Sequence, residues 1–178
     1  MNLTHEYGQR IAEDAIRFER RLEAPIDRVW ASLTTAEGLA PWLGTARIEL
    51  RKGGDFIVNL TPDILMAGTI LILEPPRLLV IAWHELENGS STQHATTHDD
   101  RSELSFALEV EGDGTRLILT HRLIRGAVTM TEYSAGWHAY LDALASALEP
   151  GAPVEVGHRY EKLRPYYEDA LRGDEAPA

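Results

Sequence analysis

Few residue types in this chain can do chemistry, and their positions narrow the choice further. There is no cysteine, which removes thiolate nucleophiles, disulfides and thiolate metal sites. Among the seven histidines, His121 falls on the apolar side of a period-two stretch with Leu117 and Leu119. An imidazole there could serve as a general base, since its ordinary pKa is near neutrality. It could equally be a neutral core group bonded to Tyr133 or to a carbonyl. Arg20 shares an apolar alternation with Ile16, Phe18 and Leu22. Its guanidinium either escapes to water at a sheet edge or pairs with a carboxylate in a cavity. Beside His121 it would suit a ligand carbonyl or carboxylate better than it would suit hydrolysis. No serine in a nucleophile-elbow setting and no second inward carboxylate accompanies His121. It is therefore the only catalytic candidate, and the catalytic set is otherwise unassigned.

Two other patterns carry less chemistry. His94 and His98, followed by Asp99 and Asp100, have metal-ligand types at helical spacing. Serines and threonines surround them, so the reading is a solvated loop without a metal. Gly53-Gly54 marks a turn and lacks the lysine and helix of a phosphate-binding loop. No cofactor is expected.

The elements that must position these groups follow from periodicity. Residues 129–148 read as a long amphipathic helix. Tyr133, Gly136, Trp137, Tyr140, Leu141, Leu144, Ala147 and Leu148 share one face, with Ser134, His138, Asp142 and Ser146 opposite. Thr129 and Glu132 fit a capping box, and Glu149-Pro150-Gly151 stops the helix. Gly136 costs about 1 kcal/mol against alanine, which suggests close approach to a sheet or to a ligand. Strand alternation sets Trp83, Phe106, Leu108, Leu119 and His121 on a face opposite Tyr133, Trp137 and Tyr140. Trp42 comes from a pair of short helices that would close one end. With Arg20, these residues are the expected ligand-binding set. Such a lining is normal for a small-molecule site, though the same aromatics could fill a solid core.

The chain of 178 residues is read as a polar, loose lead-in over 1–14, one domain over 15–149 and a tail over 150–178. The domain runs strand, two short helices, about six antiparallel strands and the long helix, an α+β order. Residues 87–101 are polar and turn-rich, so they form a long exposed loop. The run from Ile70 to Leu73 has no usable alternation. The tail tyrosines suggest short helical turns, broken by Pro165, resting on the body or across a homodimer, with the last residues disordered. A net charge of −11 argues against nucleic-acid and anionic-membrane partners. No apolar run is long enough to span a membrane and no secretory signal is evident, so a cytoplasmic location is expected.

The order of motifs resembles a known family. Ala24-Pro25 precedes Val29-Trp30, then come Leu39, Trp42, and Gly53-Gly54 before Phe56. Pro75-Pro76-Arg77 leads through Leu79 to Trp83; Gly114-Thr115 leads through Leu119-Thr120-His121 to Gly136-Trp137, Leu141 and Leu144. This is similar to the START-like (SRPBCC) superfamily, in the branch of the Hsp90 ATPase activator C-terminal domain. The resemblance implies a helix-grip fold: a curved antiparallel sheet wrapped round the C-terminal helix, with an apolar cavity between. It implies binding of a small apolar or amphipathic molecule, or polyketide cyclase/dehydratase chemistry in the same cavity. An Hsp90-directed interaction protein ranks third, because that branch binds the chaperone through a separate N-terminal domain that residues 1–14 do not supply. The loop over 87–101 and the tail depart from the branch, so ligand identity is not carried over.

Overall fold

Alternation along nine strands and the period of one helix fix which side chains meet. The structure, a computed structural model, describes residues 7–87, 102–125 and 127–172. The elements are β1 (Gln9–Ala12), β2 (Ala15–Leu22), α1 (Ile26–Thr34), α2 (Ala36–Leu39), β3 (Thr45–Ile48), β4 (Asp55–Asn59), β5 (Ile64–Glu74), β6 (Leu78–Trp83), β7 (Glu85–Glu87), β8 (Ser102–Glu111), β9 (Gly114–Arg122), α3 (Ala127–Leu148) and α4 (Val156–Arg172). The antiparallel sheet has the order β1-β2-β9-β8-β6-β5-β4-β3, and β7 pairs with β5. The fold is α+β, a sheet gripping the long helix α3, as expected.

Register aligns the inward side chains in rows. Ile16, His121, Leu104, Ile81 and Ile70 are successive cross-strand partners. Phe18, Leu119, Phe106, Leu79 and Leu73 form the next row. All but Leu73 are buried, and Leu73 packs against the same core. Neighbouring rows two residues apart lie on one face because side chains alternate along a strand. The ambiguous run in β5 has a local cause. Ile70 pairs with Ile81, but Ile72 pairs with Val80, so Leu71 is the extra residue of a β-bulge. The bulge resets the alternation: Ile70 and Leu73 both turn inward, while Leu71 and Ile72 are exposed.

The helix pair closes one end of the sheet. Pro25 precedes α1, where a missing N–H costs nothing, and Val29, Trp30 and Leu33 turn into the core. Thr35 caps α2, its hydroxyl accepting from the Gly38 N–H at 3.0 Å. α2 ends at Leu39, and residues 40–43 form turns that carry Trp42 and Leu43 into the core.

Four expectations are corrected. Part of the lead-in is a strand: β1 pairs with β2 through Gln9↔Arg17 and Arg10↔Ile16. This covers β2 only as far as Arg17; Arg20, beyond it, does not escape to water, since its side chain is 10% exposed and faces Asp142 on α3. The helix α3 starts at Ala127, so Thr129 lies inside the first turn and the capping box is not used. The tail is not a set of short turns. It forms the 17-residue helix α4, with Pro165 inside it. Proline removes one backbone donor, but Leu163 and Tyr167 on either side are buried, and that packing carries the helix through. Finally, the polar side of α3 is not solvated. Ser134 and His138 are buried, because α4 and β2 cover that side. The Ser134 hydroxyl donates to the Met130 carbonyl at 2.6 Å.

Candidate functional site

His121 is inward, as its alternation requires, and both ring nitrogens are engaged. The Trp137 indole N–H donates to Nδ1 at 2.8 Å. An indole nitrogen can only donate, so Nδ1 carries no proton and Nε2 carries it. Nε2 therefore donates to Ser102 Oγ at 2.6 Å. The Ser102 hydroxyl in turn donates to the Trp83 carbonyl at 3.2 Å. The partners are Trp137 and Ser102, not Tyr133 or a carbonyl; the Tyr133 ring lies alongside, 4.3 Å between centroids. Burial pushes the imidazole down to about 3, so it is neutral at ordinary pH. Neither lone pair nor N–H is spare, and this histidine is built to hold two tryptophans in place.

A second polar group enters from β7. The Trp83 indole N–H donates to Glu85 Oε1 at 3.0 Å. Burial raises the Glu85 carboxyl above its usual range, with the Trp83 bond opposing. Glu85 also acts electrostatically on Tyr133 and Tyr140. Burial raises both phenols, Tyr140 to about 12. Tyr140 makes no hydrogen bond among the described residues. Tyr133 and Tyr140 are two turns apart on α3 with Gly136 between them, and a Cβ built on Gly136 meets nothing within 4 Å. This glycine does not permit a close approach of the sheet. It leaves open space, flanked by two tyrosines and next in sequence to Trp137.

The expected ligand-binding residues therefore separate into two groups. Trp83, His121, Tyr133, Trp137 and Tyr140 come together. Trp83 and Trp137 meet edge to face at 4.9 Å, and Trp137 lies 6.0 Å from Tyr140. Phe106, Leu108 and Leu119 are each at most 2% exposed and belong to one core cluster. Phe106 packs on Trp137 from below, at 6.1 Å. Trp42 is buried elsewhere, its indole donating to the Ser32 carbonyl at 2.9 Å. Arg20 pairs across the sheet with Leu117, whereas His121 pairs with Ile16. Its guanidinium lies 3.8 Å from Asp142 on α3, so it faces a carboxylate and is not the companion of His121. Glu85 and Ser102 were missed. Period two extended from Trp83 to Glu85, and back from Leu104 to Ser102, would have found both.

Asp142 also accepts from Arg159 Nε at 2.6 Å, and His138 Nε2 lies 3.7 Å from it. The other ring nitrogen of His138 bonds the Tyr167 hydroxyl at 2.9 Å, and the Gly8 N–H donates to that hydroxyl at 2.7 Å. This cluster locks α4 and the N-terminal strand region to α3. An open groove of about 920 Å³ lies beside it, lined by β1, the start of α3 and the end of α4, with Arg10, Glu132 and Arg164 among its walls. Among the described residues no group of three metal-ligating side chains occurs. His94 and His98 lie outside the described residues. No described helix is long and apolar enough to cross a membrane.

Both buried histidines make stability depend on pH. Their folded pKa values, about 3 for His121 and about 4 for His138, lie below the unfolded value of 6.5. The unfolded chain binds the protons first, so stability is fully present above pH 6.5 and is lost as pH falls toward those values. His121 alone is expected to remove about 2 kcal/mol between pH 7 and pH 5. His138 acts in the same direction. Glu85 acts in the opposite one, because its raised pKa lets the folded state take a proton first. Urea denaturation at the two pH values measures the loss, and His121→Gln should flatten the slope. An unchanged slope in that variant would show that His121 is not a buried neutral base.

Comparison with known proteins agrees with this architecture. CalU16 from Micromonospora echinospora is 28% identical over 89% of this chain and 88% of its own, with a TM-score of 0.66. The protein encoded by BPP1335 of Bordetella parapertussis is 31% identical over 91% and 88%, with a TM-score of 0.69. DynU16, a protein of the dynemicin biosynthetic locus, shares the fold at 22% identity and a TM-score of 0.68, over 81% of this chain and 50% of its own. No curated protein matches the sequence. The family model for "Activator of Hsp90 ATPase homolog 1-like protein" matches residues 23–149, from the end of β2 to the end of α3. On that match the chain belongs to the Activator of Hsp90 ATPase homolog 1-like family, within the START-like superfamily.

Proposed function

We propose that this protein binds a small apolar or amphipathic molecule at the face of α3 between Tyr133 and Tyr140. The observation that carries this is the open space at Gly136, beside the buried Ala135 and Trp137 and between the partly exposed Tyr133 and Tyr140. A helix gains about 1 kcal/mol from alanine over glycine at an interior position, and no contact here demands glycine. The walls are aromatic, and the polar groups are few and convergent: the Glu85 carboxyl and the Tyr140 hydroxyl. That composition suits a ligand with a flat apolar body and one polar end. The solid core under Trp137 forms the floor. DynU16, from a biosynthetic locus, is in keeping with a small-molecule role for this fold.

The test is uptake of an apolar fluorescent probe, followed by tryptophan emission. Gly136→Ala should raise stability by about 1 kcal/mol and keep binding, since one methyl fits the space. Gly136→Trp should fill it, lowering probe affinity at least tenfold while the fold persists. Equal affinity in wild type and Gly136→Trp would end this reading.

One observation favours a second reading, an acid–base enzyme of the cyclase/dehydratase type. Glu85, a carboxyl whose pKa burial raises, would be the proton donor and acceptor in the same site. On that reading Glu85→Gln would bind a polyketide-like substrate yet lose about 10²–10⁴-fold in turnover.

A further inference from the structure

We infer that the ligand carries a positive charge: an organic ammonium whose cationic end sits between Glu85 and the aromatic walls. The inference rests on the proposed site and names its ligand class. Glu85 supplies the first argument. Its one hydrogen bond comes from a neutral indole, and among the described residues no lysine, arginine or histidine forms an ion pair with it. A half-buried carboxylate without a counter-cation is costly, because desolvation penalises its charge and one neutral N–H donor offsets only part of that. A ligand cation is the group that would repay it. The walls supply the second argument. Tyr133 and Tyr140, both partly exposed, flank the space at Gly136 within electrostatic reach of Glu85, and the buried edge-to-face pair Trp83 and Trp137 backs them, with Trp137 6.0 Å from Tyr140. Aromatic faces carry negative charge and hold ammonium groups within about 6 Å of the ring centroid. The Tyr140 hydroxyl, which has no protein partner among the described residues, can accept from an ammonium N–H. Among the described residues no cationic side chain joins the cluster to balance a carboxylate ligand, since Arg20 faces Asp142 on α3. Space for the cation is present at Gly136.

The test uses three probes of one shape: 2-(2-naphthyl)ethylamine, 2-(2-naphthyl)ethanol and 2-naphthylacetate, titrated calorimetrically at pH 7. The amine should bind at least about tenfold tighter than the alcohol, as one cation–π and ion-pair contact requires. The carboxylate should bind weakest. Glu85→Gln should collapse the ratio of amine to alcohol affinity toward one. Its melting temperature should equal or exceed that of the wild type, because a desolvated charge is removed while the amide can still accept from Trp83. If the alcohol matches the amine in the wild type, or if the ratio survives Glu85→Gln, the cationic class is wrong and the pocket still stands. If no probe binds and Gly136→Trp changes nothing, the pocket itself is wrong and the cationic class falls with it.

Discussion

Trp137→Ala should lower the unfolding free energy by about 3–5 kcal/mol, the cost of truncating a large buried aromatic. The ring is 2% exposed, wedged between Phe106 on the sheet and Trp83 across the site. Truncation also removes the donor to His121 Nδ1, leaving a buried acceptor unsatisfied. Trp137→Phe separates the two contributions. It keeps most of the ring but not the N–H, so its cost should be about 1–3 kcal/mol, that of one orphaned buried group. Chemical denaturation at pH 7 measures both. A loss below about 1 kcal/mol for Trp137→Ala would mean that the tryptophan lines a void and is not part of the core.

The second large effect concerns α4, which lies outside the residues that define the family. Tyr167→Ala should cost about 3–5 kcal/mol, as much as a core aromatic of the sheet. Tyr167 is 2% exposed. Its hydroxyl joins the Gly8 N–H to His138 on α3, and its ring packs against Phe18 and Tyr7. Tyr167→Phe should recover most of the loss, leaving about 1–3 kcal/mol for the hydroxyl. The transition should stay single and cooperative, because α4 covers the Ser134–His138 side of α3. If α4 were an appendage, Tyr167→Ala would free its amides to exchange while leaving the global stability unchanged.

The sheet and α3 were legible because each satisfies one period over many residues. Leu104, Phe106 and Leu108 alternate cleanly, and Trp83 and His121 fell on the expected face. Failures occurred where tertiary packing overrode a local signal. Pro165 reads as a helix breaker, yet α4 runs through it on the burial of Leu163 and Tyr167. His138 reads as solvent-facing on a helix wheel until a second helix covers it. The alternation in β5 failed at the bulge around Leu71. At the site, the aromatic residues were found from spacing, but the polar ones were not. Glu85 sits on a separate three-residue strand, and only the period of β6 carried two residues past Trp83 reaches it. Arg20 was assigned the correct face but the wrong neighbour, since alternation gives a side and not a position along the strand.

A ligand site at Gly136 reveals itself by where a bound molecule acts. Two-dimensional NMR of the backbone amides, during titration with 2-(2-naphthyl)ethylamine, reports this residue by residue. Shifts should concentrate at Trp83, Glu85 and residues 133–140, and should be lost in Gly136→Trp. Shifts confined instead to the groove residues Arg10, Arg164 and Leu171 would contradict it and place the binding site on the opposite side of α3.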